Sequence, residues 1–183
     1  KGELFGGIPG IQPTKVVIIG AGAVGQYAAK AAIGLGASVK VFDNNINKLR
    51  RIEKNLGSRI HSSTIIPQSL AKSIAECDIA IGALRSPIGY SPCVVSDEMV
   101  SNMRTNSIII DVSIDQGGCF ETSIPTDHFN PVFEKYGVLH YCVPNIPSRY
   151  SRTASYALSN ILTNLLLDIS AAGGLKSYLM NHD

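Results

Sequence analysis

Short apolar runs alternate with amphipathic stretches along this chain. Val16–Ile19, Ile79–Ile81 and Ser107–Val112 are continuous runs, the pattern of parallel strands buried on both faces. With weaker runs between and after them, they predict strands over 15–19, 38–42, 58–62, 78–82, 107–112 and 137–142. Helices are predicted over 23–35, 46–56, 67–76, 95–103 and 152–171. Gly34 and Gly36 stop the first and Gly57 the second, as glycine does at helix C-termini. Asp97 and Glu98 place negative charge in the first turn of the fourth, where the helix dipole favours it. In the last helix Leu158, Ile161, Leu162, Leu165, Leu166 and Ile169 recur at helical spacing, which marks a core or interface face. Regular alternation of strand and helix predicts an α/β fold built on a doubly wound parallel sheet, with strand order 3-2-1-4-5-6.

The first strand runs directly into Gly20-x-Gly22-x-x-Gly25 at the start of a helix, and the second strand ends at Asp43. This is the order of a Rossmann-type dinucleotide-binding unit. Gly20 permits the tight turn, Gly22 leaves the backbone open to a pyrophosphate, and Gly25 lets helix and strand pack closely. The helix N-terminus then offers unpaired N–H groups to the phosphates. Asp43 suits the adenosine ribose hydroxyls and would repel a 2′-phosphate, which favours NAD over NADP; Lys48 could reach the same ribose.

Other strand ends are small, polar or glycine-rich, as a cleft beyond the carboxyl ends of a parallel sheet requires. They are Asp43-Asn44, Gly82-Ala83-Leu84, Val112–Gly118 and Val143–Asn145. Asp111 still lies on its strand and is expected to bond backbone or cap a neighbour, whereas Asp115 lies past the strand end, in the cleft. A carboxylate there would stabilise positive charge as hydride leaves a substrate. Asn145 can both donate and accept, which suits a carboxamide or ribose. His140 is mid-strand and reads as a satisfied core histidine; His61, His128 and His182 read as surface or loop residues. Arg149 and Arg152 read as a solvated helix start.

With 183 residues, 45% hydrophobic, the chain can bury one sizeable core. Its net charge of +2 without a basic tract gives no reason to expect nucleic acid. No apolar run is long enough for a membrane span, and no metal site is expected. Cys77, Cys93, Cys119 and Cys142 are widely spaced, so reduced thiols and a cytoplasmic location are expected rather than a disulfide or zinc framework.

Several motifs occur in one order: Gly6-Gly-Ile-Pro-Gly10, the glycine triplet, Phe42-Asp-x-Asn45 with Lys48-Leu-Arg50, and Asp115-Gln-Gly-Gly-Cys-Phe-Glu121. His140-Tyr-Cys-Val143, Asn145-x-Pro147 and Thr153-x-x-Tyr-Ala-Leu158 follow. Together they resemble the NAD-binding domain of the alanine dehydrogenase and pyridine nucleotide transhydrogenase family. The resemblance implies reversible oxidative deamination of L-alanine to pyruvate and ammonia, with hydride passing from the alanine Cα to NAD. It implies catalytic roles for Asp115 and Asn145. It implies cofactor contacts from Gly20, Gly22, Ala23, Val24, Gly25, Asp43, Asn44 and Lys48 on the adenosine and diphosphate side. Gly82, Ala83, Leu84, Val112, Ser113, Ile114, Asp115, Val143, Asn145 and Ile146 would complete the set. It further implies that alanine and pyruvate are held mainly by an N-terminal domain outside this chain, and that the full protein is a homo-oligomer, a hexamer in this family. Residues 1–14 would then lead in from that domain, 15–150 would bind NAD, and 151–183 would lead back. This chain has Ile65, Arg85 and Ile124 where the family often has serine, leucine and arginine, and its 86–92 loop also differs. Two other readings are the soluble NAD(H)-binding part of a proton-translocating transhydrogenase and a non-catalytic NAD-sensing module.

Overall fold

A computed structural model describes residues 2–57, 60–86 and 89–180. The chain divides into two compact units, residues 1–144 and 145–183. The first unit is built on β1 (Lys15–Ile19), β2 (Ser38–Phe42), β3 (His61–Ser63), β4 (Ile79–Gly82), β5 (Ile108–Asp111), β6 (Val132–Lys135) and β7 (Val138–Tyr141). These form one sheet in the order β3-β2-β1-β4-β5-β7-β6. Every pairing is parallel except that of β6 with β7. The sixth predicted strand is β7, so the expected order holds for six strands. The expectation of a wholly parallel sheet needs one correction: an antiparallel edge strand, β6, is added beside β7. The hairpin turn Tyr136-Gly137 has both residues at positive φ, 57° and 70°, as a two-residue type I′ connection requires. Of the third predicted strand, residues 58 and 59 lie outside the described residues.

Helices α1 (Ala23–Gly34), α2 (Ile46–Leu56), α3 (Pro67–Glu76) and α4 (Asp97–Ser101) connect the strands. Side chains alternate across a strand, so β1 feeds two cores. Val16 and Ile18 pack with Ala29, Ala32, Leu49 and Ile52 of α1 and α2. Val17 and Ile19 pack with Leu70, Ile74 and Val100 of α3 and α4. Burial on both faces is why the central strands are uninterrupted apolar runs. Asn45 caps α2 by accepting from Lys48 N at 3.2 Å, and Gly57 closes it in the left-handed conformation. Ser96 caps α4 in the same way through Met99 N, which shortens the predicted helix at its start.

The second unit holds a 3-10 turn, Ile146–Tyr150, then α5 (Ser151–Ala171) and α6 (Leu175–Met180). None of the residues of α5 is buried. Its apolar face, read from the sequence as core or interface, is uncovered within this unit.

Candidate functional site

The site is assembled where β1, β2, β4 and β5 end. At Gly20 the backbone has φ +115°, and a Cβ there would meet the Ala83 carbonyl oxygen at 2.3 Å. A Cβ on Gly25 would lie 1.8 Å from Gly20 O, so only glycine lets α1 sit this close to the loop. Gly22 differs: a Cβ there meets nothing within 4 Å. It is the N-cap of α1 and provides no side-chain cap. Two recesses flank it. One, of about 250 Å³, is lined by residues that include Asp43, Asn44, Lys48 and Leu84. The other, of about 440 Å³, is lined by Ala23, Val24, Lys48, Ala83 and Arg85 with Gly22 itself. The bare backbone, the uncapped helix start and the adjoining space fit a dinucleotide diphosphate. A larger cavity of about 610 Å³ lies at the amino ends of β1 and β4, beside Leu4, Ile8 and Arg104. None of the predicted site residues lines it.

Asp43 is only 5% exposed. Its Oδ2 accepts from Ala21 N and its Oδ1 from Asn45 N, each at 2.8 Å. The acid therefore ties the glycine loop to the tip of β2, a bracing role that the ribose argument alone did not foresee. Lys48 Nζ stands 3.9 Å from Asp43 Oδ2. Asn44 accepts from Ile65 N at 3.0 Å and so fastens the segment after β3.

Gly82 is small for a reason the sequence reading did not give. A Cβ there would meet Cys119 Sγ at 2.5 Å and Asp111 Oδ1 at 2.7 Å, so the missing methyl makes room for packing beneath the cleft. Ala83 and Leu84 follow it along the recess wall. Beyond β5 the chain forms a 3-10 turn, Val112–Gln116, closed by left-handed Gly117. Asp111, fully buried, fastens this turn at both ends: it accepts from Ser113 N and Cys119 N, each at 3.0 Å, and from Ser123 Oγ at 2.7 Å. Burial raises its pKa, against the lowering effect of those hydrogen bonds. Asp115 is exposed on the turn so held. Ser113, Ile114 and Val143 are buried, and Val112 is half-buried; Ser113 Oγ donates to Leu84 O at 2.9 Å, tying the β4 and β5 ends together. Asn145 and Ile146 belong to the second unit, where Asn145 heads the 3-10 turn in the left-handed conformation.

His140 is fully buried and stacks on Phe133 with ring centroids 4.7 Å apart. Its Nδ1 lies 2.9 Å from Val138 O, an acceptor only, so Nδ1 carries the proton and Nε2 accepts from Thr122 Oγ1 at 2.8 Å. Burial lowers its pKa and keeps it neutral, as a core histidine. His61 is exposed and His128 half-buried; His182 lies outside the described residues. Arg149 and Arg152 are exposed at the start of the second unit. None of the four cysteines forms a disulfide among the described residues, and burial raises the thiol pKa of Cys93, Cys119 and Cys142. Among the described residues no group of three or more His, Cys, Asp or Glu could hold a metal, and no helix is long and apolar enough to cross a membrane. Sequence reasoning marked Arg85 as a departure from the family's usual leucine but did not count it among the site residues; the fold lays it along both recesses.

Comparison with known proteins follows the same lines. The family described as alanine dehydrogenase/PNT, C-terminal domain, matches residues 1–183. An alanine dehydrogenase of Bacillus subtilis is 42% identical over 182 residues, covering 99% of this chain and 48% of that protein. A solved L-alanine dehydrogenase superposes with a TM-score of 0.90 at 44% identity, covering 97% of this chain and 49% of the other. A transhydrogenase from Sinorhizobium meliloti superposes with a TM-score of 0.73 at 27% identity, covering 84% and 44%. The chain spans about half the length of the curated relatives it matches.

Proposed function

The chain belongs to the alanine dehydrogenase/PNT C-terminal domain family, and from that premise we propose that it is the NAD-binding part of an L-alanine dehydrogenase. The observation that carries this is the contrast among the three glycines. Gly20 and Gly25 are closed in by backbone, while Gly22 opens onto space at an uncapped helix start. Ala23 and Val24 continue that start along one recess, and Asp43, Asn44 and Lys48 line the other. Bound NAD would supply the hydride acceptor for conversion of L-alanine to pyruvate and ammonia.

Asp115 is presented on a turn whose both ends Asp111 fastens, so its carboxylate is held at the strand end with little freedom of the backbone beneath it. There it stabilises positive charge that develops as the substrate carbon loses hydride. Asn145 serves the nicotinamide half through its amide, a role that rests on the resemblance. Residues 15–150 carry the cofactor, 1–14 and 151–183 connect to the remainder of the enzyme, and alanine is held mainly there. The exposed apolar face of α5 supports assembly as a homo-oligomer, and four cysteines outside any disulfide support a cytoplasmic location. Identity of 44% to the dehydrogenase against 27% to the transhydrogenase favours the first over the second.

Calorimetric titration of the chain with NADH tests the cofactor reading: saturable binding is expected, and absence of heat with folded protein sinks it. Alanine-dependent NAD reduction is expected of the full-length protein and not of this chain. If the full-length protein reduces NAD with a different amino acid only, the substrate is wrong and the cofactor site stands.

A further inference from the structure

The recesses beside Gly22 share one residue that the dinucleotide reading did not require. Arg85 lines both, as Lys48 does. Lys48 already has a carboxylate neighbour in Asp43 at 3.9 Å. Among the described residues the Arg85 guanidinium has no hydrogen bond or ion pair. Its side chain is exposed, yet the backbone on either side is fastened. The Leu84 carbonyl accepts from Ser113 Oγ at 2.9 Å, and Ser86 N donates to Gln116 Oε1 at 3.3 Å. Before them Ala83 N donates to Ile19 O at 2.7 Å. An uncompensated cation thus stands on an anchored segment along a groove whose other wall is a bare glycine and an uncapped helix start.

A planar guanidinium pairs with two phosphate oxygens at once, which a lysine ammonium cannot match. We propose that Arg85 grips the diphosphate of the bound dinucleotide from the β4 side of the groove, adding a side-chain charge to the main-chain N–H groups of α1. The inference rests on the dinucleotide reading of the site. A ribose 2′-phosphate is the other phosphate within such a ligand, and Asp43 in the same recess opposes it.

Titration of wild type, Arg85→Gln and Arg85→Lys with NADH and with NADPH tests this. Arg85→Gln is expected to weaken NADH about tenfold with an unchanged melting temperature, and Arg85→Lys to lose less. Equal NADH affinity in wild type and Arg85→Gln overturns the role of Arg85 while the cofactor site stands. A loss for NADPH with none for NADH overturns it too, because the charge then reads the ribose. A wild-type chain that binds neither nucleotide overturns the site reading and this inference with it.

Discussion

A methyl group on Gly25 would come within 1.8 Å of Gly20 O, whereas one on Gly22 would meet no atom within 4 Å. Two alanine substitutions three residues apart should therefore separate folding from binding. Gly25→Ala is expected to cost about 3 kcal/mol or more, because the clash is with backbone and α1 must move off β1. Gly22→Ala is expected to leave the melting temperature nearly unchanged while NADH affinity falls at least tenfold, read by calorimetry. Asp111 offers a second test. It presents acceptors to two backbone N–H groups and one hydroxyl. In Asp111→Asn one of those oxygens becomes an NH2 group facing a donor, at a cost of about 1–3 kcal/mol in denaturant titration. His140 gives a pH dependence. Its folded pKa lies below the ordinary 6.5, so the unfolded chain binds the extra proton first. Its contribution to stability is present above pH 6.5 and is lost as pH falls from there toward the lowered value. The raised pKa of Asp111 has the opposite sign from the ordinary carboxylate range upward. The informative quantity is thus the difference between wild type and His140→Gln across pH 5 to 7. A difference that does not change with pH contradicts a neutral buried imidazole.

At the scale of elements, what was legible follows from burial. The central strands are mostly apolar because helices cover both their faces, and β1, β2, α2 and α3 fall on their predicted bounds. β6 was missed because it is an edge strand with exposed and half-exposed residues in alternation, Val132–Lys135. Its turn carries Tyr136 where Asn or Asp is the recognisable choice. Tyr136 holds that place partly by donating to Asp97 across the surface. In the site, the glycine triplet was legible because its spacing falls at the junction of a strand and a helix, although only Gly20 and Gly25 are closed in by backbone. The packing demand on Gly82 was not legible, because the atoms it avoids belong to Asp111 and Cys119, remote in sequence. Arg85 was legible only as a departure from the family's usual leucine, since only the folded chain lays the segment after β4 along the groove. The hairpin gives a prediction at this scale. Gly137 has φ +70°, and a Cβ there would lie 3.1 Å from Thr105 Cγ2. Gly137→Ala should cost about 1–2 kcal/mol through the turn, with NADH affinity unchanged because β6 lies on the far edge from β1.

At the scale of the whole molecule the apolar residues fall into two populations with opposite expected responses. Ile109 is fully buried in the core between the sheet and α3. Leu162 and Leu166, on α5, remain 48% and 62% exposed. Helical spacing in the sequence gives the second group the look of a core, because periodicity reports that one face seeks cover and says nothing of what covers it. Removing three methylene-sized groups in Ile109→Ala forfeits transfer energy and leaves a cavity, about 2–5 kcal/mol. Leu162→Glu with Leu166→Glu replaces no buried residue, so the unfolding free energy of this chain should change by less than about 1 kcal/mol. If α5 is an assembly surface of the full-length protein, the same pair of glutamates should lower its oligomeric state in sedimentation or light scattering while the chain of 183 residues melts as before. A large loss of stability in this chain instead would mean that those leucines are buried within it, and the argument from exposure to assembly would fail.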